Sequence, residues 1–198
     1  MIYLIGASGH AKVIIEILER LGLKIGGLAD ANPSIASLFD YKCSTGFPAA
    51  FDVKTDRVIL SIGNNHTRKI IASKEIYHYA TAVHPDTSIS QRSQLGEGSV
   101  VMPGVRINAN VRIGKHVILN TNCTIDHDCI LEDFVHISPN TALAGGVTVG
   151  EGTHIGIGAC VIPNIKIGKW ATIGAGAVII KDVSDGAVVV GNPGKVIK

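Results

Sequence analysis

The second half of the chain carries a hydrophobic pattern that returns at every sixth position. Aliphatic side chains stand at Ile89, Leu95, Val101, Ile107, Ile113, Leu119, Ile125, Leu131, Ile137, Leu143, Val149, Ile155, Val161, Ile167, Ile173 and Ile179 without a slip in register, and Val83 extends the series one step upstream. Four residues after each comes a small or β-branched residue, such as Val105, Cys123, Thr141 or Ala177. A period of six fits neither an amphipathic helix, whose period is about 3.6, nor simple alternation. It fits a flat-sided coil in which each side is a short strand plus a turn, with the aliphatic residue pointing inward and the small residue filling the corner. Gly96, Gly114 and Gly150, with Asn108, Asn110 and Asn122, supply corner residues that tolerate sharp turns. Three sides make a turn of eighteen residues, and stacked turns pair as parallel strands about 4.8 Å apart. The run is long enough for roughly five turns, whose stacking buries a continuous core that no single repeat could bury.

Residues 1–82 lack this period and predict a different domain, with 83–198 forming the coil and a tail. Ile2–Ile5 reads as a buried parallel strand. Gly6-Ala-Ser-Gly9-His10 follows, then Ala11–Leu21 with helical apolar spacing and Gly22 as its stop. Ile25–Ala29 is a second strand ending at Asp30. Arg57–Ile62 is a third, running into Gly63-Asn64-Asn65 ahead of a helix over Thr67–Ser73. Strand, glycine turn, helix, strand opens a Rossmann-like unit. Gly6-x-x-Gly9 falls short of the full dinucleotide fingerprint. Three polar strand ends on one sheet edge nevertheless suit a nucleotide pocket, in which Gly6, Ser8, Gly9 and His10 approach an anion at a helix N-terminus and Asp30, Asn64 and Asn65 bond ribose or base.

Composition narrows the classes. A net charge of +2 gives no electrostatic case for nucleic acid or a membrane surface. The apolar runs are too short to span a bilayer, and the N-terminal residues resemble a strand rather than a signal peptide. Four cysteines without a CxxC pair predict no disulfide framework and a reducing, cytoplasmic setting; Cys123 and Cys129 read as buried corner residues.

The coil changes character at Asn120-Thr-Asn-Cys-Thr-Ile-Asp126-His127-Asp128, where polar and acidic residues flank a histidine. Eighteen residues beyond His127 is Gly145, so the two should stack in adjacent turns, with Gly145 and Gly146 leaving room for the ring and an N–H for a substrate carbonyl. The same count stacks His136 on His154. A histidine with a carboxylate neighbour and a backbone donor suits general-base catalysis of acyl transfer, with Asp126 or Asp128 fixing the tautomer and raising the imidazole pKa.

These motifs, with Ile62-Gly-Asn-Asn65, Ile118-Leu-Asn-Thr121 and Gly191-Asn-Pro-Gly-Lys195, make the chain resemble the hexapeptide-repeat sugar acetyltransferases, a group that includes sialic acid O-acetyltransferases. It is most similar to the bacterial enzymes that N-acetylate UDP-linked 4-amino-4,6-dideoxy sugars. The resemblance implies an α/β Rossmann-like domain followed by a left-handed parallel β-helix; general crossover preferences alone would favour the opposite hand. It implies a homotrimer with active sites between subunits, acetyl-CoA as co-substrate and no metal. It implies His127 as base supported by Asp128, Asn120 placing the sugar, His136 and Gly145 at the thioester, and Pro193 and Lys195 holding the CoA arm. Asp128 stands where those relatives carry Glu, and Gly194 where Ala is usual, a change expected to be harmless. Rival readings are an O-acetyltransferase acting on sialic acid or another sugar, a metal-dependent hydratase using His127, His136 and His154, and a non-catalytic sugar-binding scaffold.

Overall fold

The computed structural model describes residues 1–74 and 77–198. Strand β1 (Ile2–Ile5) is flanked in parallel by β2 (Ile25–Ala29) and β5 (Arg57–Leu60). Helix α1 (Gly9–Arg20) begins two residues earlier than the apolar spacing predicts and is capped at Leu21, before Gly22 at φ +65°. The structure adds a hairpin the sequence pattern did not suggest, β3 (Ser37–Leu38) and β4 (Tyr41–Ser44), with Phe39 in the left-handed region at its tip. β4 joins β2 in parallel, so the sheet order is β3-β4-β2-β1-β5. Helix α2 (Asn65–Lys74) follows β5.

From Ala82 onward the chain winds as the hexad predicts. Each side is a two-residue strand, and strands eighteen residues apart pair in parallel on three walls, as with Ile118 beside His136 and Leu119 beside Ile137. Inward positions such as Val101, Leu119, Ile137 and Ile155, with corner residues such as Cys123, Cys129 and Ala159, form one continuous core. The left-handed backbone recurs every six residues from Gly98 to Gly176. Gly and Asn fill most of these corners, but His116, Phe134 and Trp170 occupy three of them, at φ 54°, 61° and 55°. Bulky side chains seldom adopt that conformation.

One wall receives the N-terminal domain. Its outward positions, eighteen residues apart, read Ala82, Val100, Ile118, His136, His154, Thr172. The first three are buried with Ile14, Ile17 and Leu18 in a second apolar cluster, so α1 lies across these lower rungs. Burial of side chains such as Val100 and Ile118 contributes about 1.5–3 kcal/mol each. The wall turns polar at His136, at the level of the N-terminal end of α1, and His10 stands 6.2 Å from His136 between ring centroids.

Candidate functional site

His127 sits on the corner between the wall of Thr124–Ile125 and the wall of Ile130–Leu131, with its side chain 61% exposed. Its Nδ1 lies 2.7 Å from Asp128 Oδ2, so the shorter arm of aspartate does reach the imidazole. Asp128 is held in turn by Asn110 Nδ2 at 2.6 Å, one turn below. Asp126 does not touch the ring. It accepts the His127 backbone N–H at 2.8 Å and Asn108 Nδ2 at 2.7 Å. The hydrogen bond that His127 donates to Asp128, then the charge of Asp126, raise the imidazole pKa above its ordinary value. With Nδ1 donating to Asp128, Nε2 is the free basic nitrogen. A Cβ on Gly145 would stand 2.6 Å from both Cε1 and Nε2 of His127, so the ring occupies the space that Gly145 leaves. Among the described residues no group accepts the Gly145 N–H, while Gly146 N–H bonds the His127 carbonyl at 2.9 Å.

A second group of candidates faces the N-terminal domain. Asn120 Nδ2 is 3.2 Å from His136 Nε2, and His154 stacks on His136 at 4.9 Å. Burial, then the neighbouring His154, Arg68 and His10, push the His136 pKa down to about 3. Burial and Arg68 lower His10 to about 4, and its Nε2 is buried without a partner among the described residues. The structure does not unite this group with His127. In a three-walled coil the His127 corner is opposite the wall that carries His136 and His154. Those three histidines therefore do not converge on one ion, and no group of three or more His, Cys, Asp or Glu among the described residues could hold a metal.

The strand-end residues divide between roles. Gly6, at φ +107°, is required by the fold: a Cβ there would meet Ile62 at 2.8 Å and the Ser61 carbonyl oxygen at 3.0 Å. Gly9 has open space in that direction, and the exposed Ser8 makes no side-chain cap, so the start of α1 is open to a ligand. Asp30 accepts the Ala7 N–H at 2.8 Å and the Asn32 N–H at 2.9 Å, which fixes the glycine turn and leaves fewer lone pairs for a ribose. Asn64 caps α2 by accepting the Thr67 N–H at 2.9 Å. Asn65 departs from the expected nucleotide contact: it is buried and donates to the Gly152 carbonyl at 2.9 Å and the Thr153 carbonyl at 3.3 Å, joining the two parts of the chain. Pro193 and Lys195 lie at the far end of the coil, where Lys195–Val196 returns antiparallel to Val188–Val190. Gly194 is less innocent than expected, because a Cβ would meet Ile179 Cδ1 at 2.9 Å and Val189 Cγ1 at 3.0 Å.

Sequence reasoning missed two features. A cleft of about 320 Å³ at the sheet edge is lined by Ile5, Asp30, Thr45, Gly46, Phe47 and Tyr77. The sequence pattern showed Ile5 and Asp30 at strand ends, but not the hairpin whose last strand leads into Thr45, Gly46 and Phe47, nor the place of Tyr77 beyond α2. Arg68, 1% exposed, is the other: it donates to the carbonyls of His116, Ile62, Gly63 and Phe134 at 2.8–3.1 Å. A lone arginine on a short helix carries no sequence signal for this.

The N-terminal 74 residues match the family model of the PglD N-terminal domain, and residues 92–127 and 146–181 match that of the bacterial transferase hexapeptide repeats. A histidine-to-asparagine variant of perosamine N-acetyltransferase from Caulobacter crescentus, solved with CoA and GDP-perosamine, is 35% identical over all of this chain and 96% of that one, with a TM-score of 0.91. The chain belongs to the hexapeptide-repeat sugar acetyltransferases. The acetyltransferase is also 35% identical to the acetyltransferase domain of PglB from Neisseria gonorrhoeae, over 99% of this chain and 98% of that one, with a TM-score of 0.90. PerB from Caulobacter crescentus, solved with CoA and GDP-perosamine, is 36% identical to it over all of this chain and 97% of that one, with a TM-score of 0.88. The PglB domain has also been crystallised with acetyl coenzyme A.

Proposed function

We propose that this enzyme transfers acetyl from acetyl-CoA to the 4-amino group of a nucleotide-linked 4-amino-4,6-dideoxy sugar. The observation that carries the reading is the His127–Asp128–Gly145 corner in a chain that is similar over its full length to perosamine N-acetyltransferase. The sugar amine attacks the thioester carbonyl carbon while His127 Nε2 takes the amine proton. Collapse of the tetrahedral intermediate breaks the C–S bond, and the CoA thiolate leaves to be protonated. Asp128 keeps Nε2 free and stabilises the imidazolium. The Gly145 N–H supports the developing oxyanion. An unprotonated amine is already nucleophilic, so positioning supplies much of the acceleration.

Asn120 places the sugar in this reading, and the open start of α1 with Ser8, Gly9 and His10 takes the diphosphate. The cleft beside Asp30 and Phe47 takes the base. The carrier is taken as UDP, and GDP is its direct competitor because the Caulobacter relatives were crystallised with GDP-perosamine. Since His127 points away from its own nucleotide domain, each active site needs His127 from one subunit and the nucleotide domain of a neighbour, as in a trimer. Two features of the corner support this. Above Asp126 the outward column becomes apolar at Ala144, Ile162 and Ile180, with the isoleucines 40% and 43% exposed. Beside it lies a groove of about 330 Å³ along Arg106, Thr124, Ala142 and Cys160, suited to a pantetheine arm.

The test is CoA release from acetyl-CoA with UDP- and GDP-linked 4-amino-4,6-dideoxy sugars, with sialic acid alongside, for the wild type and His127→Ala. Turnover on an amino sugar that drops at least about a hundredfold in the variant is expected. Turnover on sialic acid alone would move the assignment to O-acetylation.

A further inference from the structure

The Asn120 carboxamide is fixed at both ends. Its Oδ1 accepts the Thr121 N–H at 2.8 Å, which an amide nitrogen could not do, so Nδ2 must be the atom facing His136 Nε2 at 3.2 Å. An amide NH₂ only donates. His136 Nε2 is therefore the unprotonated nitrogen, and the proton of the neutral ring sits on Nδ1. The ring has little freedom to turn. His154 stacks on it at an interplanar angle of 23°, and His154 Nε2 is held at 2.8 Å by Ser138 Oγ, itself buried. Arg68, His10 and His154 surround the imidazole and all oppose a second proton.

His136 so arranged has no N–H to offer a thioester and no free lone pair on Nε2. Among the described residues its one outward effect is on Asn120, a half-buried amide that keeps a single uncommitted N–H. We infer that His136 is a positioning residue, braced by His154 and Ser138, which holds the Asn120 amide so that its remaining Nδ2–H is presented to an oxygen of the sugar substrate. This rests on Asn120 being the sugar contact. It departs from the expectation that His136 itself meets acetyl-CoA.

Two measurements on the full-length enzyme test it. Nitrogen NMR of the imidazoles is expected to show His136 as the Nδ1–H tautomer, neutral down to about pH 5. An Nε2–H tautomer or an imidazolium at that pH overturns the inference whatever the activity does. A double-mutant cycle then separates positioning from contact. Asn120→Ala is expected to lower kcat/KM for the amino sugar about tenfold or more, and His136→Phe to lower it by a similar factor. Asn120→Ala/His136→Phe should be no worse than Asn120→Ala, and the KM for acetyl-CoA should hold in all three. His136→Gln, whose side-chain oxygen can accept the same bond, should recover most of the rate. Losses that multiply in the double variant, or a raised acetyl-CoA KM in His136→Phe, would make His136 a contact in its own right and overturn the inference. Full activity in Asn120→Ala would overturn it together with the sugar role of Asn120. A wild type inactive on every amino sugar would instead count against the proposed reaction, and the tautomer would still decide the geometry.

Discussion

Asp128 reaches the ring of its immediate neighbour because its own backbone is left-handed, at φ 61°. That dihedral folds a short side chain back over the corner, where an extended residue would aim it at solvent. The consequence is a titration. The Asp128 hydrogen bond raises the His127 pKa, so more of the base is protonated near neutrality and the acid limb of the kcat/KM profile should lie above the ordinary histidine value. Asp128→Asn removes the main cause of the shift. Its acid limb should move to lower pH while the plateau falls, as seen in initial rates from about pH 5 to 9. An unmoved limb would assign it to another group. The pairing of His127 with Gly145 was legible by counting eighteen residues. The residues alone left Asp126 and Asp128 both open as the carboxylate that holds the ring, and the choice of Asp128 came from the resemblance, although Asp128 falls on the same six-residue series of left-handed corners as Asn110 and Asn122.

At the scale of elements, α2 is bound to the coil through a single column of corners. His116, Phe134 and Gly152 share the left-handed conformation, and their carbonyls accept from Arg68 and Asn65. His116 and Phe134 stack at 5.1 Å, while Trp170 fills the space beside Gly152 and stacks on His66 at 4.0 Å. Lys69 adds an ion pair to Glu151. Among the described residues Arg68 has only carbonyls as partners, and burial lowers its pKa to about 9. Arg68→Met would leave four buried or half-buried acceptors without their donor, and a loss on the order of 3 kcal/mol or more is expected in chemical denaturation. Arg68→Lys should recover little, because one ammonium cannot span the same fan of carbonyls. The repeat was readable from its inward residues. The docking face was readable only in the outward row Ala82, Val100, Ile118, where apolar residues stand in positions that elsewhere face water. Asn65 and Arg68 were not readable, because their partners are main-chain carbonyls that no side-chain pattern announces.

For the whole molecule, the seam between the two parts is lined with neutral imidazoles. His10 and His116 are pushed down to about 4, and His136 to about 3, in each case chiefly by burial. Their folded pKa values lie below the ordinary one, so the unfolded chain takes up protons first as the pH falls. Stability should be full above about pH 6.5, decline through about pH 4 and level off near pH 3 once the folded rings also protonate, with a loss on the order of a few kcal/mol for each ring. Thermal unfolding across that range should show the fall. His116→Phe, which keeps an aromatic ring against Phe134 and Tyr79, should flatten it. A profile with the same slope in that variant would place the pH dependence elsewhere.

The clamp of Arg68 on two successive turns also fixes an address. Each turn of the coil advances by one strand spacing, about 4.8 Å. The nucleotide domain is bolted to the rungs of His116 and Phe134, and His127 stands on the turn between them. Whole turns could be gained or lost beyond Trp170 without altering the height of one relative to the other. A single eighteen-residue insertion between His116 and His127 would shift the reactive corner one notch up the ruler, and it would also part His116 from Phe134, so Arg68 could no longer hold both carbonyls and the address itself would be lost.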